Sequence, residues 1–239
     1  MNVARVNFSH SDFCGHALVS GNLRAAAAST GRRLAILADL PGPKMRIGKL
    51  EPEPIELRPG DFFTLTTDDI VGDSSRVSVT FSNLTKAVRP GDTLFLNDGL
   101  IQLEAVAVEG NDVRCRVIVG GELRSRKGLN LPGTDLGISA FTEHDHACMT
   151  FALENGVDAV SQSFVNRAAD IEAVRSAAAD IGYHPFIIAK IERSTALNHI
   201  DEIIDAADGI MIARGDLGVE APIEEIPVIQ KRLMRLANM

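Results

Sequence analysis

The chain has 239 residues, 45% hydrophobic and 23% charged, with a formal net charge of −8. That balance belongs to an ordinary globular protein of one large domain or two modest ones. It argues against broad nucleic-acid binding, which leaves a basic footprint, and no apolar run approaches the ~20 residues that cross a bilayer. The first residues are too few and too polar for a signal peptide. The three cysteines, Cys14, Cys115 and Cys148, are far apart and lack metal-ligand spacing, so they read as free thiols of a reducing cytoplasm.

Residues 3–8 read as a strand whose polar members Arg5, Asn7 and Ser9 share one face. A helix follows, with Val19, Leu23 and Ala26 as its inward stripe and Gly31 as its C-cap. Residues 34–37 form a second strand, halted by Asp39-Leu40-Pro41-Gly42-Pro43. The texture then changes. From 44 to 139 the helical period is lost, and short runs such as Phe62-Phe63-Thr64-Leu65, Thr93-Leu94-Phe95-Leu96 and Val113-Arg114-Cys115-Arg116-Val117 stand between Pro-Gly-Asp and Asn-Asp-Gly turns. Regular short strands of this kind predict a separate small β-barrel or sandwich.

From Thr142 strand and helix alternate again. Thr142 and Asp145 make a capping box for a helix that Asn155-Gly156 closes. A strand is predicted over 159–165, then a helix with Ile171, Val174, Ala178 and Ile181 inward, then a strand over 186–191. Ser194 is the expected N-cap of a helix bearing Leu197, Ile200, Ile203 and Ile204; a strand over 209–213 and a last helix bearing Ile229, Leu233 and Leu236 complete the chain. Strict alternation means a parallel sheet, and five such strands are counted, with the β domain inserted after the second. A closed (β/α)8 barrel needs eight, so the sheet is either open or part of a barrel.

Two of the apolar runs end in charge: Lys190 and Glu192 on one, Arg214 and Asp216 on the other. Residues two apart on a strand share a face, and α/β folds build their sites where the strands run out. A lysine with two carboxylates there points to a divalent metal holding an anionic substrate; the plain alternative is a salt bridge at a strand end.

Several blocks resemble the pyruvate kinase family, in its order: residues 2–10, Asp39 with Gly42-Pro43-Lys44-Met45-Arg46, Asn97-Asp98-Gly99, Lys127-Gly128-Leu129-Asn130-Leu131-Pro132-Gly133, Ile188-Ala189-Lys190-Ile191-Glu192, and 211–218. The resemblance implies an α/β fold, a partial TIM (β/α)8 barrel at 1–43 and 140–239 with an inserted small all-β barrel lid at 44–139. Family members start with a further strand and helix and continue into two more barrel strands and a C-terminal regulatory domain. The resemblance also implies a glycolytic, cytoplasmic phosphotransferase that converts phosphoenolpyruvate and ADP to pyruvate and ATP, with no nucleic-acid or membrane partner, and a homotetramer when complete.

By the same resemblance, Lys190 and Arg5 act on the transferring phosphoryl group, and Gly215 and Asp216 take part in substrate binding. Glu192 and Asp216 hold Mg2+ or Mn2+. Arg46, Lys127, His10 and Asn7 contact the nucleotide. In potassium-dependent relatives Asn7, Ser9, Asp39 and a threonine bind K+, and a glutamate follows Gly-Pro. Here those last two positions are Leu40 and Lys44, so the Lys44 ammonium is expected to replace K+, which is then not required. Two competing readings are a Mg-dependent lyase acting on pyruvate enolate from the same barrel, and an inactive fragment that binds a partner, its unpaired sheet edges being a liability for folding alone.

Overall fold

In a computed structural model, which describes residues 1–134 and 136–239, the chain alternates strand and helix at both ends of the sequence and builds short strands between. Strand β1 (Val3–Asn7) buries Ala4 and Val6 and directs Arg5 to the other face. Helix α1 (Phe13–Thr30) is capped by the Asp12 carboxylate, which accepts from Gly15 N at 2.8 Å, and it ends at Gly31 with φ 64°. Its inward stripe matches the predicted one only at Leu23, which packs against the core. Val19 is 45% exposed, whereas His16 and Ser20 are buried, and the His16 ring stacks on Phe8 with centroids 4.2 Å apart. Polar residues occupy the helix positions that face the core, so apolar periodicity could not find them.

Strand β2 (Ala35–Leu40) runs past the predicted 34–37 and takes Asp39 inside it at 1% exposure. A buried carboxylate is tolerated only when donors meet it, and those donors come from three other strands or their ends. The middle of the chain supplies β3 (Ile55–Leu57), β4 (Phe62–Thr66), β5 (Arg76–Ser78), a short α2 (Leu84–Ala87), β6 (Thr93–Leu96), β7 (Ile101–Glu109), β8 (Asp112–Val119), β9 (Gly121–Leu123) and β10 (Leu129–Asn130). They form a six-stranded sheet ordered β10-β6-β7-β8-β4-β5 and a two-stranded sheet, β3-β9. The turn at Asn97-Asp98-Gly99 takes three successive positive φ values, 52°, 57° and 87°, which Asn, Asp and Gly reach most readily.

The last part of the chain is α3 (Glu143–Glu154), β11 (Ala159–Gln162), α4 (Ala168–Asp180), β12 (Phe186–Ile191), a 3-10 segment Ser194–His199, α5 (Ile200–Ala206), β13 (Gly209–Ile212), α6 (Arg214–Glu220), a 3-10 turn Ile223–Glu225 and α7 (Ile226–Leu236). Three predictions are corrected here. β11 stops at Gln162 rather than 165, because Phe164 turns the chain with φ 60°. Ser194 is the first residue of the 3-10 segment rather than the cap of an α-helix. The strand predicted over 209–213 stops at Ile212, and Arg214 and Asp216, read as the charges at its end, lie in helix α6.

The five strands of the alternating parts pair in the order β1-β2-β11-β12-β13, every pair parallel. This is the parallel α/β sheet of part of a (β/α)8 barrel. Two aspartates make the same join at strand entries. Asp158 accepts from Ile36 N at 2.7 Å and pairs with Arg24 of α1; Asp208 accepts from Ile187 N at 2.8 Å and pairs with Arg175 of α4. Each arginine also donates to the carbonyl chemistry of the same corner, at Leu34 and Gly156 for Arg24 and at Ala206 for Arg175.

The chain divides into two compact units. One comprises Met1–Pro43, Ile138–Leu217 and Glu225–Met239, the other Lys44–Gly137 and Gly218–Glu224. Each has its own apolar core, one around Ile36, Val160 and Ile187, the other around Phe63, Leu65 and Leu103.

Candidate active site

In the first unit, ionic side chains gather toward the carboxyl ends of the parallel strands. The register sets this up: Asn7 lies beside Asp39, Asp39 beside Ser161, and Lys190 beside Met211. Arg5 from β1 donates to Asp39 through Nε at 2.7 Å and also through Nη2. Ser161 Oγ donates to the other Asp39 oxygen at 2.9 Å. Lys190 Nζ stands 3.1 Å from Asp39 Oδ1 and 2.7 Å from Glu192 Oε1. Thus one carboxylate on β2 anchors two cations carried by strands to either side of it.

Lys190, Glu192 and Asp39 are 7%, 4% and 1% exposed, and a charge so buried costs several kcal/mol unless it is paired. Burial pulls the Lys190 ammonium toward its neutral form, but the Glu192 and Asp39 carboxylates outweigh that and hold its pKa above the ordinary value. Burial pushes the Glu192 carboxyl up. Lys190 opposes this and the Asp216 charge adds to it, and the net direction is upward.

Among the described residues no group of three or more His, Cys, Asp and Glu side chains is arranged to hold a metal. Glu192 has both oxygens engaged, Oε1 by Lys190 and Oε2 by Phe164 N at 2.9 Å, so a cation at Oε1 would compete with the ammonium for that oxygen.

The remaining predicted residues fall in different places. Asn7 Oδ1 accepts from Ser9 N at 2.9 Å, which orders the turn after β1, and His10 is exposed beyond it. Gly215 and Asp216 sit in the first turn of α6. A Cβ added at Gly215 would meet nothing within 4 Å, and its φ is not positive. A tight turn therefore does not explain this glycine; open space beside its backbone remains. Lys44, Arg46 and Lys127 belong to the second unit. There Arg46 bridges Gly128, the neighbour of Lys127, and donates through Nη1 to Arg126 O at 3.0 Å.

Sequence reasoning missed Ser161, Ser163 and Phe164, all in contact with the cluster. Ser163 Oγ accepts from Lys190 Nζ at 2.7 Å. Their signal was two serines at period two inside an apolar run, which places both on the face of a strand that carries the charges.

Comparison with known proteins identifies the family of the chain. The family model described as pyruvate kinase, barrel domain, matches residues 1–239. A pyruvate kinase of Thermococcus litoralis is 48% identical over 239 residues, covering all of this chain and 50% of that protein. One from Corynebacterium efficiens is 44% identical over 238 residues, again with 50% of the relative covered. Among solved structures, a pyruvate kinase from Cryptosporidium parvum superposes with a TM-score of 0.93 at 35% identity, covering 100% of this chain and 50% of that one. The chain spans about half the length of the curated relatives it matches.

Proposed function

The chain belongs to the pyruvate kinase family, and from that premise we propose that its site transfers the phosphoryl group of phosphoenolpyruvate to ADP, giving pyruvate and ATP. The observation that carries this reading is the cluster on the parallel strands in which Arg5 meets the buried Asp39, Lys190 and Glu192.

Phosphoryl transfer depends on positioning and on neutralising charge. The P–O bond to the enol oxygen breaks as a new one forms to the terminal oxygen of ADP, and the enolate left behind takes a proton on carbon to become pyruvate. Lys190 is the group to stand against that enolate oxygen and the moving phosphoryl, because two carboxylates keep it fully charged where water is excluded. Arg5 has its fork on Asp39 and about half of its side chain open, so it can present its remaining donors to phosphoryl oxygens. Glu192 and Asp216 would hold Mg2+ or Mn2+, which supplies positive charge toward the substrate's carboxylate and phosphoryl oxygens when bound. Gly215 allows the substrate to approach the backbone of α6. By the family resemblance, Arg46, Lys127, His10 and Asn7 are the residues proposed to contact the nucleotide.

A monovalent ion is not required in this reading. The Asp39 oxygens, which serve K+ in potassium-dependent relatives, are already met by Arg5, Ser161 and Lys190. Leu40 offers no side-chain oxygen to such an ion.

The test is a coupled assay of pyruvate and ATP formation by the purified chain, in buffer free of Na+ and K+. ATP should form, should change little on adding KCl, and should fall about 100- to 1000-fold in Lys190→Met, the size of losing one transition-state stabiliser. ATP formation that survives Lys190→Met, or its absence from the chain altogether, would overturn the reading. A many-fold rise with KCl would overturn the monovalent-ion part alone.

A further inference from the structure

The turn that ends β11 has no part in the transfer just described, yet it touches both members of the Lys190–Glu192 pair. Ser163 Oγ donates to Leu40 O at 2.6 Å and accepts from Lys190 Nζ at 2.7 Å. Because the single hydroxyl proton is committed to β2, its lone pairs are left to face the ammonium. One residue on, Phe164 N donates to Glu192 Oε2 at 2.9 Å. Phe164 holds φ at 60°, an outlier for a bulky side chain, and such a conformation persists only where its surroundings impose it. Gly42 lies beneath: a Cβ there would stand 2.9 Å from Phe164 Cδ2 and 3.1 Å from Ser163 O. The exits of β2 and β11 are thus pressed together by a residue that has no side chain.

We propose that Ser163 and Phe164 form a latch that positions Lys190 and Glu192 separately, so that the ammonium stays in place when Glu192 Oε1 turns to a divalent cation. The proposal rests on the reading of Lys190 and Glu192 as the pair that works in transfer. An ammonium has three donors, and here they meet Glu192, Asp39 and Ser163. Once Glu192 turns away, Asp39 and Ser163 remain. Asp39 is shared with Arg5 and Ser161, so the neutral hydroxyl is the anchor that answers to Lys190 alone among the side chains. Phe164 N does the matching task for the carboxylate, keeping Oε2 fixed while Oε1 moves. Ser163 is a positioning residue and touches no substrate in this scheme.

The experiment uses the whole chain and needs no turnover. Amines are labelled with acetic anhydride at one fixed pH, with and without millimolar Mn2+, and peptide mass spectrometry compares Lys190 with the exposed Lys49. Ser163→Ala should raise Lys190 labelling several-fold, more so with Mn2+, leaving Lys49 unchanged, and Ser163→Thr should restore protection. Gly42→Ala, which displaces the turn without removing the hydroxyl, should raise it as well. Wild-type labelling of Lys190 in both Ser163→Ala and Gly42→Ala, while Glu192→Gln accelerates it, would overturn the latch. If melting shows that Ser163→Ala does not fold, Gly42→Ala decides alone by the same criterion. A chain that forms no ATP would fail the functional reading and still report on the latch.

Discussion

Lys190 is one of the few charges this chain buries, and its neighbours explain both its tolerance and its legibility. A lysine two residues from a glutamate at the end of an apolar run is visible as sequence, and so is Asp216 after the next run. What is not visible is that Asp39 sits between Arg5 and Lys190, since that depends on the register of three strands distant in the chain. The thiols give a sharper residue-scale expectation. Burial pushes Cys115 up to about 12, and burial with the Asp145 charge pushes Cys148 up to about 11, while Cys14 is exposed. At pH 8 a disulfide-exchange reagent should count one fast thiol in the native chain and three in denaturant. A fast second thiol would mean that one of the two cores is open. These raised values also set a pH dependence: a thiol that keeps its proton longer when folded adds stability that is complete below the ordinary thiol pKa and is lost as pH climbs through the folded value. Denaturant midpoints should therefore fall from about pH 9 upward, and Cys115→Val should flatten that fall if the buried thiol is its source.

At the scale of elements, helix α3 shows how a local signal becomes a tertiary one. The capping box predicted from Thr142 and Asp145 is present: Thr142 Oγ1 accepts from Asp145 N at 3.1 Å, and Asp145 Oδ2 accepts from Thr142 N at 2.9 Å. Asp145 also accepts from Gly42 N at 2.9 Å and is fully buried, so it ties the start of α3 to the exit of β2. Thr142→Ala should cost about 1 kcal/mol, the ordinary worth of a cap. Asp145→Ala should cost roughly 2–3 kcal/mol, because it also strands a buried N–H; urea midpoints measure both, and equal losses would show that the Gly42 bond adds nothing. Element type was legible wherever apolar period and caps agreed, as in α3, α4 and β12. It failed where polar residues face inward, as with His16 and Ser20 on α1, and where a strained turn cuts a strand short. Residues 159–165 alternate like one strand, and only the close approach of Gly42 to Phe164 reveals why the strand stops at Gln162.

For the whole molecule the decisive fact is that, among the described residues, the two cores share no buried residue. The change of texture at 44 made the β segment visible in sequence, because an alternating helix–strand period gave way to short strands and turns. Separate cores mean that each unit can lose its packing on its own, which breaks the all-or-none condition that single domains satisfy. Calorimetry should therefore return an unfolding enthalpy larger than the van't Hoff value from a single probe. Leu65, wholly buried in the second unit, and Ile187, wholly buried in the first, test the point directly. Either one replaced by Ala should cost about 2–5 kcal/mol, enough to move the melting of a unit this size by roughly 10 °C or more. Leu65→Ala should shift the transition that carries the β-sheet signal of the second unit, and Ile187→Ala the one that carries the helical signal of α1, α3 and α4. One transition that both substitutions move equally would show the cores melting as a unit, and the boundary between them would then be structural without being thermodynamic.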